Sequence, residues 1–270
     1  MERVSTLGRN DNQKNITIYN VLDEMARILY DTYSGDYIIR GSYAIRNYLL
    51  NVNHAELVRT TTDIDLYWIS RPTLTKIANE FHEILSEKSD LSLRYEKIAE
   101  RGRHNDFQTG RLFYHVTGED ADYNVNIDLH YMSTANRKEI QSGVENTLYV
   151  SPTTIIADKV SISASEVIKE RIHDLYDIYV LSNYFDFNLQ KVSELCRGRV
   201  TRIGEAIFIL RSDVYNELKQ RYDNNAKLHS LLVEFEDVFN RAIEFTTAIY
   251  TYIFNGGNNK HWQPDKSRWL

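Results

Sequence analysis

From Ile16 to Tyr33 apolar residues recur at helical spacing (Ile18, Val21, Leu22, Met25, Ile28, Leu29), which predicts an amphipathic helix closed by Ser34-Gly35-Asp36. A short β-type run follows, Tyr37-Ile38-Ile39, and after Arg40-Gly41-Ser42 a second helical stretch reaches Leu50. Residues 63–69 (DIDLYWI) are β-rich, and Ser70-Arg71-Pro72-Thr73 opens a helix carrying Leu74, Ile77, Phe81, Ile84 and Leu85. The middle of the chain alternates apolar and polar positions over Leu93–Ile98, Arg111–Thr117 and Tyr123–Tyr131, with Gly and Asp/Asn clusters between the runs. That pattern predicts antiparallel strands joined by turns. After Leu148-Tyr149-Val150 the character changes, and helical spacing dominates over about 153–164, 167–184, 189–196, 201–222 and 228–254. The expectation is an α+β domain over residues 1–150, a helical domain over 151–255 that contributes to the site, and a mobile tail over 256–270.

Composition narrows the class. The 270 residues are 42% hydrophobic and 26% charged, enough apolar material to bury a core. A single cysteine, Cys196, excludes a disulfide framework and any cysteine-based zinc or iron–sulfur cluster. No apolar run has the length a membrane span needs, and the polar N-terminal stretch has no apolar core of a signal peptide, so the reading is a soluble cytoplasmic protein without membrane partners. The net charge is −6, with 17 Lys/Arg against 22 Asp/Glu in residues 1–150 and 15 against 16 in residues 151–270. A protein that coats long duplexes carries a basic excess, so that role is disfavoured, whereas contact with a nucleic-acid end is not.

The acidic surplus includes a pattern with chemical meaning. Asp63 and Asp65 are two apart on a strand, so both carboxylates project to one face while Ile64 points into the core. Adjacent carboxylates repel, and a divalent cation relieves that cost; Mg²⁺ commonly takes one or two carboxylates together with substrate phosphates. A solvated strand edge is the plain alternative for such a triplet. Upstream, a strand leads through Gly41-Ser42 into a helix, where unpaired backbone N–H groups and the Ser42 hydroxyl can hold a phosphate; a simple helix cap is the competing reading. Downstream, Asp128 sits among alternating apolar residues of a later strand, either at an edge or in a site on the sheet face. His130 shares that face and reads as packing rather than as a metal ligand.

The order strand–Gly-Ser–helix, strand with D-x-D, later strand with a third Asp resembles the nucleotidyltransferase superfamily with the DNA polymerase β-like core. Arg59-Thr60-Thr61-Thr62-Asp63-Ile64-Asp65, Ala157-Asp158-Lys159 and Arg171-Ile172-His173-Asp174-Leu175-Tyr176-Asp177-Ile178-Tyr179 resemble the AbiEii/MenT-type toxin nucleotidyltransferases. The resemblance spans roughly residues 37–180. It implies a mixed-sheet core and two Mg²⁺ ions on Asp63, Asp65 and Asp128 that clamp an NTP and the attacking hydroxyl. It further implies nucleotide contacts from Gly41, Ser42, Arg59, Thr61, Lys159 and Arg171, with Lys159 and Asp174 in the catalytic set and Asp177 mainly structural. Two departures stand out. Twenty residues separate Ser42 from Asp63, more than the family's common spacing, and His173 replaces the usual Lys before Asp174.

The acceptor is less defined. Residues 94–111 carry Arg94, Lys97, Arg101, Arg103 and Arg111, and residues 197–211 carry Arg197, Arg199, Arg202 and Arg211 against Glu205 alone. A helix bearing Arg197, Arg199 and Arg202 either grips an RNA backbone or is a solvated face. The resemblance implies a tRNA 3′ end or another RNA as acceptor. It also implies a toxin of a toxin–antitoxin or phage-defence pair with a separately encoded antitoxin. Transfer to a protein hydroxyl or to a small molecule such as an aminoglycoside, and a silent NTP-binding module, are the alternatives; three mutually repelling carboxylates speak against the last. An HD-type phosphohydrolase would need further metal-spaced His and Asp residues that the chain lacks.

Overall fold

A computed structural model describes residues 7–33, 35–69, 74–88, 92–104, 107–117, 122–131, 140–142, 147–228 and 231–270. The expected helix opening at Ser70–Thr73 lies outside the described residues. The chain forms two compact units, one of residues 1–44 and 60–150 and the other of residues 45–59 and 151–270. The division differs from a single cut after Val150, because the segment 45–59 belongs with the C-terminal unit.

The first unit is built on strands β1 (Tyr37–Arg40), β2 (Asp63–Trp68), β3 (Ser92–His104), β4 (Phe107–Thr117), β5 (Asp122–Tyr131), β6 (Ile140–Ser142) and β7 (Leu148–Val150), in one mixed sheet of order β3-β4-β5-β2-β1-β7-β6. Pairs β2/β5 and β1/β7 are parallel, and the remaining pairs are antiparallel. Helices α1 (Leu7–Tyr33) and α3 (Leu74–Lys88) belong to the same unit. The helical stripe Leu22, Met25, Ile28 and Leu29 of α1 is buried, as are Ile77, Phe81 and Leu85 of α3. Trp68 of β2 joins them, with ring centroids 5.6 Å from Tyr33 and 5.5 Å from Phe81. Period-2 alternation therefore assigns Ile64, Leu66 and Trp68 to the helix-covered face, along with Val125, Ile127 and Leu129 of β5 and Leu112, Tyr114 and Val116 of β4, all buried. The polar set Asp63, Asp65, Asn126, Asp128 and Arg111 falls on the opposite face.

Helix α2 (Gly41–Asn51) leaves β1 directly, its first turn in the first unit and the remainder in the second. The second unit continues with α4 (Pro152–Ser163), α5 (His173–Tyr184), α6 (Leu189–Ile203), α7 (Tyr215–Asp223) and α8 (Phe235–Asn255). Ser151 caps α4 by accepting from the Thr154 N–H at 3.2 Å, and Pro152 takes the first helical position, where its missing N–H costs nothing. The core contains Val160, Leu175, Leu181, Val192, Cys196, Val200, Val238 and Phe245. The helix expected over 201–222 is broken: α6 stops at Gly204, whose φ is +84°, and a 3-10 turn at Phe208–Leu210 precedes α7.

Residues 256–270, expected to be a mobile tail, contain two short strands and a 3-10 turn. Strands β8 (Phe187–Asn188), β9 (His261–Gln263) and β10 (Arg268–Trp269) form a small antiparallel sheet. Its anchors are two indoles: Trp262 is fully buried and donates to Ser182 O at 2.6 Å, and Trp269 donates to Phe245 O at 3.0 Å. Both rings pack on Phe245, with centroids 4.9 and 5.1 Å away. Large aromatic area with a satisfied N–H outweighs the polar composition around it.

Candidate active site

The middle of the first unit's sheet places charges in a line. Register pairs Arg40 of β1 with Asp65 of β2, Asp65 with Asp128 of β5, and Asp128 with Arg111 of β4. Residues paired across neighbouring strands share a face, so these four side chains form a transverse row whose signs run plus, minus, minus, plus. One pair further along, Asp63 faces Asn126, and on the other side of the row Tyr67 faces His130. All lie on the face that α1 and α3 leave uncovered.

The row is tied together by specific contacts. Arg111 holds Asp128 with both arms, Nε donating to Oδ1 at 2.5 Å and Nη2 to Oδ2, and Nη2 also lies 3.9 Å from Asp63 Oδ2. Asp128 is nearly buried, which an uncompensated carboxylate does not tolerate; the bidentate guanidinium supplies the compensation. That bond to Asp128 outweighs burial and raises the Arg111 pKa further above its ordinary value. The buried Thr61 hydroxyl donates to Asp63 Oδ1 at 2.6 Å and so fixes the carboxylate at the mouth of β2. Asp65 Oδ1 lies 3.6 Å from His130 Nε2, and the Arg40 guanidinium stacks 4.4 Å above the Tyr67 ring.

Gly41 joins this row from the helix side. Its φ of +68° is left-handed backbone, and a Cβ built there would run into the Asp65 carboxylate, lying 2.9 Å from its Cγ. Glycine is thus required twice over, by conformation and by space. The start of α2 at Gly41 stands against the acid row.

One donor from each of Asp65, Asp128 and His130 lies within 4.8 Å of the other two, a spacing that one cation can span. Carboxylate oxygens fit a hard divalent ion such as Mg²⁺, while an imidazole widens the choice toward Mn²⁺. The donor set therefore fits a divalent cation.

The second unit holds a different cluster. Arg59 grips Asp177 with Nε at 2.7 Å and Nη2 at 2.9 Å, and Lys159 Nζ contacts Asp177 at 2.8 Å and also Asp174. Arg171 Nε forms an ion pair with Asp174 Oδ2 at 2.8 Å. Lys159 and Asp177 are almost fully buried and Asp174 completely so, whereas the Arg171 side chain is 44% exposed. Burial alone would raise the Asp177 carboxyl, but Arg59 and Lys159 outweigh it and hold it well below the usual carboxylate range. Burial likewise acts to strip the proton from Lys159, and Asp174 and Asp177 overcome it, leaving the ammonium more basic than usual. His173, 3.6 Å from Asp174, is pushed down to about 4 by burial and then by Arg59, and stays neutral at pH 7.

Of the residues singled out in the sequence, Asp63, Asp65, Asp128, Gly41, Ser42 and Thr61 lie in the first unit, and Arg59, Lys159, Arg171 and Asp174 in the second. Arg197, Arg199 and Arg202 share α6; Arg197 donates to Ile253 O at 2.8 Å, Arg199 pairs with Asp158 at 2.5 Å, and Arg202 is exposed in the last turn. Arg211 has left the helix and pairs with Asp213. Arg111 and Arg40 were not distinguishable from other strand arginines, because only the register of β1 and β4 brings them to the acid row. His130 had a signal, its i+2 spacing from Asp128.

A sequence model of the family described as "Nucleotidyl transferase AbiEii toxin, Type IV TA system" matches residues 27–262. The chain belongs to the AbiEii nucleotidyl transferase toxin family. No curated protein matches it. Crystal structures that share its fold include two from Helicobacter pylori. One is a Helicobacter pylori protein assigned as a nucleotidyltransferase, 14% identical, TM-score 0.58, over 91% of this chain and 98% of the other. The other is JHP933 from Helicobacter pylori, 13% identical, TM-score 0.58, over 89% and 93%. Family membership makes the chain a nucleotidyltransferase of a toxin–antitoxin system. Among the described residues no helix is long and apolar enough to cross a membrane.

Proposed function

We propose that this AbiEii-family chain is a Mg²⁺-dependent toxin that transfers NMP from an NTP to an RNA acceptor, with the tRNA 3′ end as the leading acceptor and a separately encoded antitoxin as its partner. The observation that carries the reading is Asp65 beside Asp128 on parallel strands, with Asp63 on the same face and the glycine start of α2 against Asp65. Asp63, Asp65 and Asp128 would hold the metal, which when bound supplies charge to the triphosphate and acidity to the attacking hydroxyl. Gly41 and Ser42 at the start of α2 are the proposed backbone contacts for phosphate oxygens, and the lack of a Cβ at Gly41 leaves room for the Asp65 carboxylate beside them. Thr61 keeps Asp63 in one orientation, and Arg111 keeps Asp128 in its own. In the second unit, the half-exposed Arg171 is the proposed phosphate contact, positioned by Asp174, which Lys159 in turn holds. Arg202 is the α6 arginine best placed to meet RNA, since Arg197 and Arg199 already engage protein acceptors.

The test incubates the protein with total tRNA, Mg²⁺ and each α-labelled NTP in turn, with Asp65→Ala as control. Label entering the tRNA band with the wild type alone is expected, and the NTP that works sets the specificity. Label on a protein band instead, or transfer that survives Asp65→Ala, would overturn the proposal.

A further inference from the structure

The solvent face of α6 has a glycine at its centre. Leu189, Val192, Ser193, Cys196 and Val200 are buried and form one stripe of that helix. At about 100° per residue, Gly198 falls opposite the middle of the stripe, with Arg197 and Arg199 about 100° to either side of it. An exposed position in mid-helix accepts almost any residue, and apart from proline glycine is the least favourable choice. Nothing in the fold requires it here: the backbone is helical, and a Cβ added at Gly198 would enter open space. The arginines on its flanks are turned aside, Arg197 Nη1 donating to Ile253 O of α8 at 2.8 Å and Arg199 Nη1 pairing with Asp158 of α4 at 2.5 Å. Arg202 stands one turn after Gly198 on the same face, exposed, and has no ion-pair or hydrogen-bond partner among the described residues. Helical side chains lean towards the N-terminus, which directs Arg202 back towards the glycine. Residues 197–203 thus carry three arginines and no acid, in a chain whose net charge is −6. Cations near a helix C-terminus favour its dipole, which accounts for the arginines but not for the glycine between them.

We infer that Gly198 is a seat for the sugar–phosphate backbone of the RNA acceptor, with Arg197 and Arg199 as its two walls and Arg202 as the cation that meets a phosphate lying over it. Without a Cβ at Gly198 the strand reaches the helix surface itself, and a phosphate there comes within range of Arg202. Contacts of this kind fix where a strand lies and carry no base sequence. The inference rests on the RNA-acceptor reading, but it concerns where the strand lies and not the chemistry of transfer.

The experiment measures binding of fluorescently labelled total tRNA to the full chain by anisotropy over a KCl series, beside urea melts of each variant. Gly198→Ala and Gly198→Leu leave every charge in place and improve helix propensity, so both are expected to raise the urea midpoint. Both are nevertheless expected to bind tRNA more weakly, leucine more than alanine, with leucine losing about tenfold, the worth of one charge-assisted contact. Arg202→Gln is expected to weaken binding and to lower the salt slope by about one. A gain in stability together with a loss of affinity is an outcome that a merely structural glycine does not give. A lower urea midpoint for Gly198→Ala would show that the fold needs the glycine and would overturn the inference. So would wild-type affinity in both Gly198 variants; if Arg202→Gln still weakened binding, or the wild type still transferred label to tRNA, the proposed function would stand without the inference. A wild type that neither binds tRNA nor transfers label to it would remove both.

Discussion

Gly41 shows how much a single position can decide. It has left-handed backbone, and the direction its Cβ would take is filled by the Asp65 carboxylate. Gly41→Ala is expected to lose more than about 1 kcal/mol of stability from the strained φ alone, read as a lower urea midpoint. It should also displace Asp65 and abolish nucleotide transfer; an alanine variant with wild-type stability and turnover would refute the close approach. The buried charges of the second unit respond to pH. The His173 imidazole titrates at about 4 when folded, held down by burial and then by Arg59, against 6.5 in an unconstrained chain. Between those values the unfolded chain binds a proton that the folded chain refuses. Stability is therefore full above about pH 6.5 and declines as the pH falls towards 4, by at most ~3 kcal/mol from this group. Asp177 acts in a lower window: its folded pKa is depressed, so its contribution is intact above the usual carboxylate range and is lost as the pH falls below about 4. The two are separable by urea melts at pH 7.5 and pH 5. The wild type should be less stable at pH 5, and His173→Gln should remove most of that difference. An equal drop in the variant would assign it to other groups.

At the scale of elements, the C-terminal segment is the least obvious structural part and one of the most committed. Trp262 of β9 pairs with Phe187 of β8 and packs its ring 4.9 Å from that of Phe245 on α8, and its indole N–H donates to Ser182 O. Trp262→Ala is expected to cost about 3–5 kcal/mol, and removal of residues 256–270 at least as much, since it also exposes Phe245; thermal melts of the two variants check both, and a truncated chain that melts like the full one would show the segment to be dispensable. Its strands were not legible in the sequence because Asn, Gly and Lys surround two isolated indoles, and no periodicity marks a hairpin closed onto a helix from a distance. The break of the helical stretch at Gly204 escaped for the opposite reason, since apolar spacing continues on both sides of it. What could be read were elements whose pattern and placement coincide: the alternation of β2 and β5 puts Asp63, Asp65 and Asp128 on the polar face, as the register then shows. Periodicity states which face a residue takes but not which strand lies beside it. Arg111 therefore looked like one of several basic residues of the stretch 94–111 and the first of an alternating strand, although pairing of β4 with β5 sets it against Asp128.

For the whole molecule, the chain path matters more than the order of its domains. It crosses between units after Ala44, Arg59 and Val150, so no single cut frees the C-terminal unit intact. The segment 45–59 is bound into that unit by charge and by packing. Arg59 closes a bidentate pair on buried Asp177, Leu57 O accepts from the Tyr176 hydroxyl at 2.8 Å, and the His54 ring lies 3.9 Å from that of Tyr184. A fragment of residues 151–270 would keep Asp177 and Lys159 buried while losing Arg59, and stripping one member from a buried ionic network typically costs about 3–5 kcal/mol. The Tyr176 hydroxyl would lose its acceptor as well. We therefore expect fragment 151–270 to be unfolded or to melt far below the full chain in circular dichroism, despite containing every helix from α4 onward. Joining residues 45–59 to its N-terminus through a flexible linker should restore cooperative melting, and Arg59→Ala in that fusion should remove most of the gain. A fragment 151–270 that folds as stably as the fusion would show that segment 45–59 adds nothing to the unit; a fusion unaffected by Arg59→Ala would place its contribution in packing and not in the Arg59–Asp177 pair.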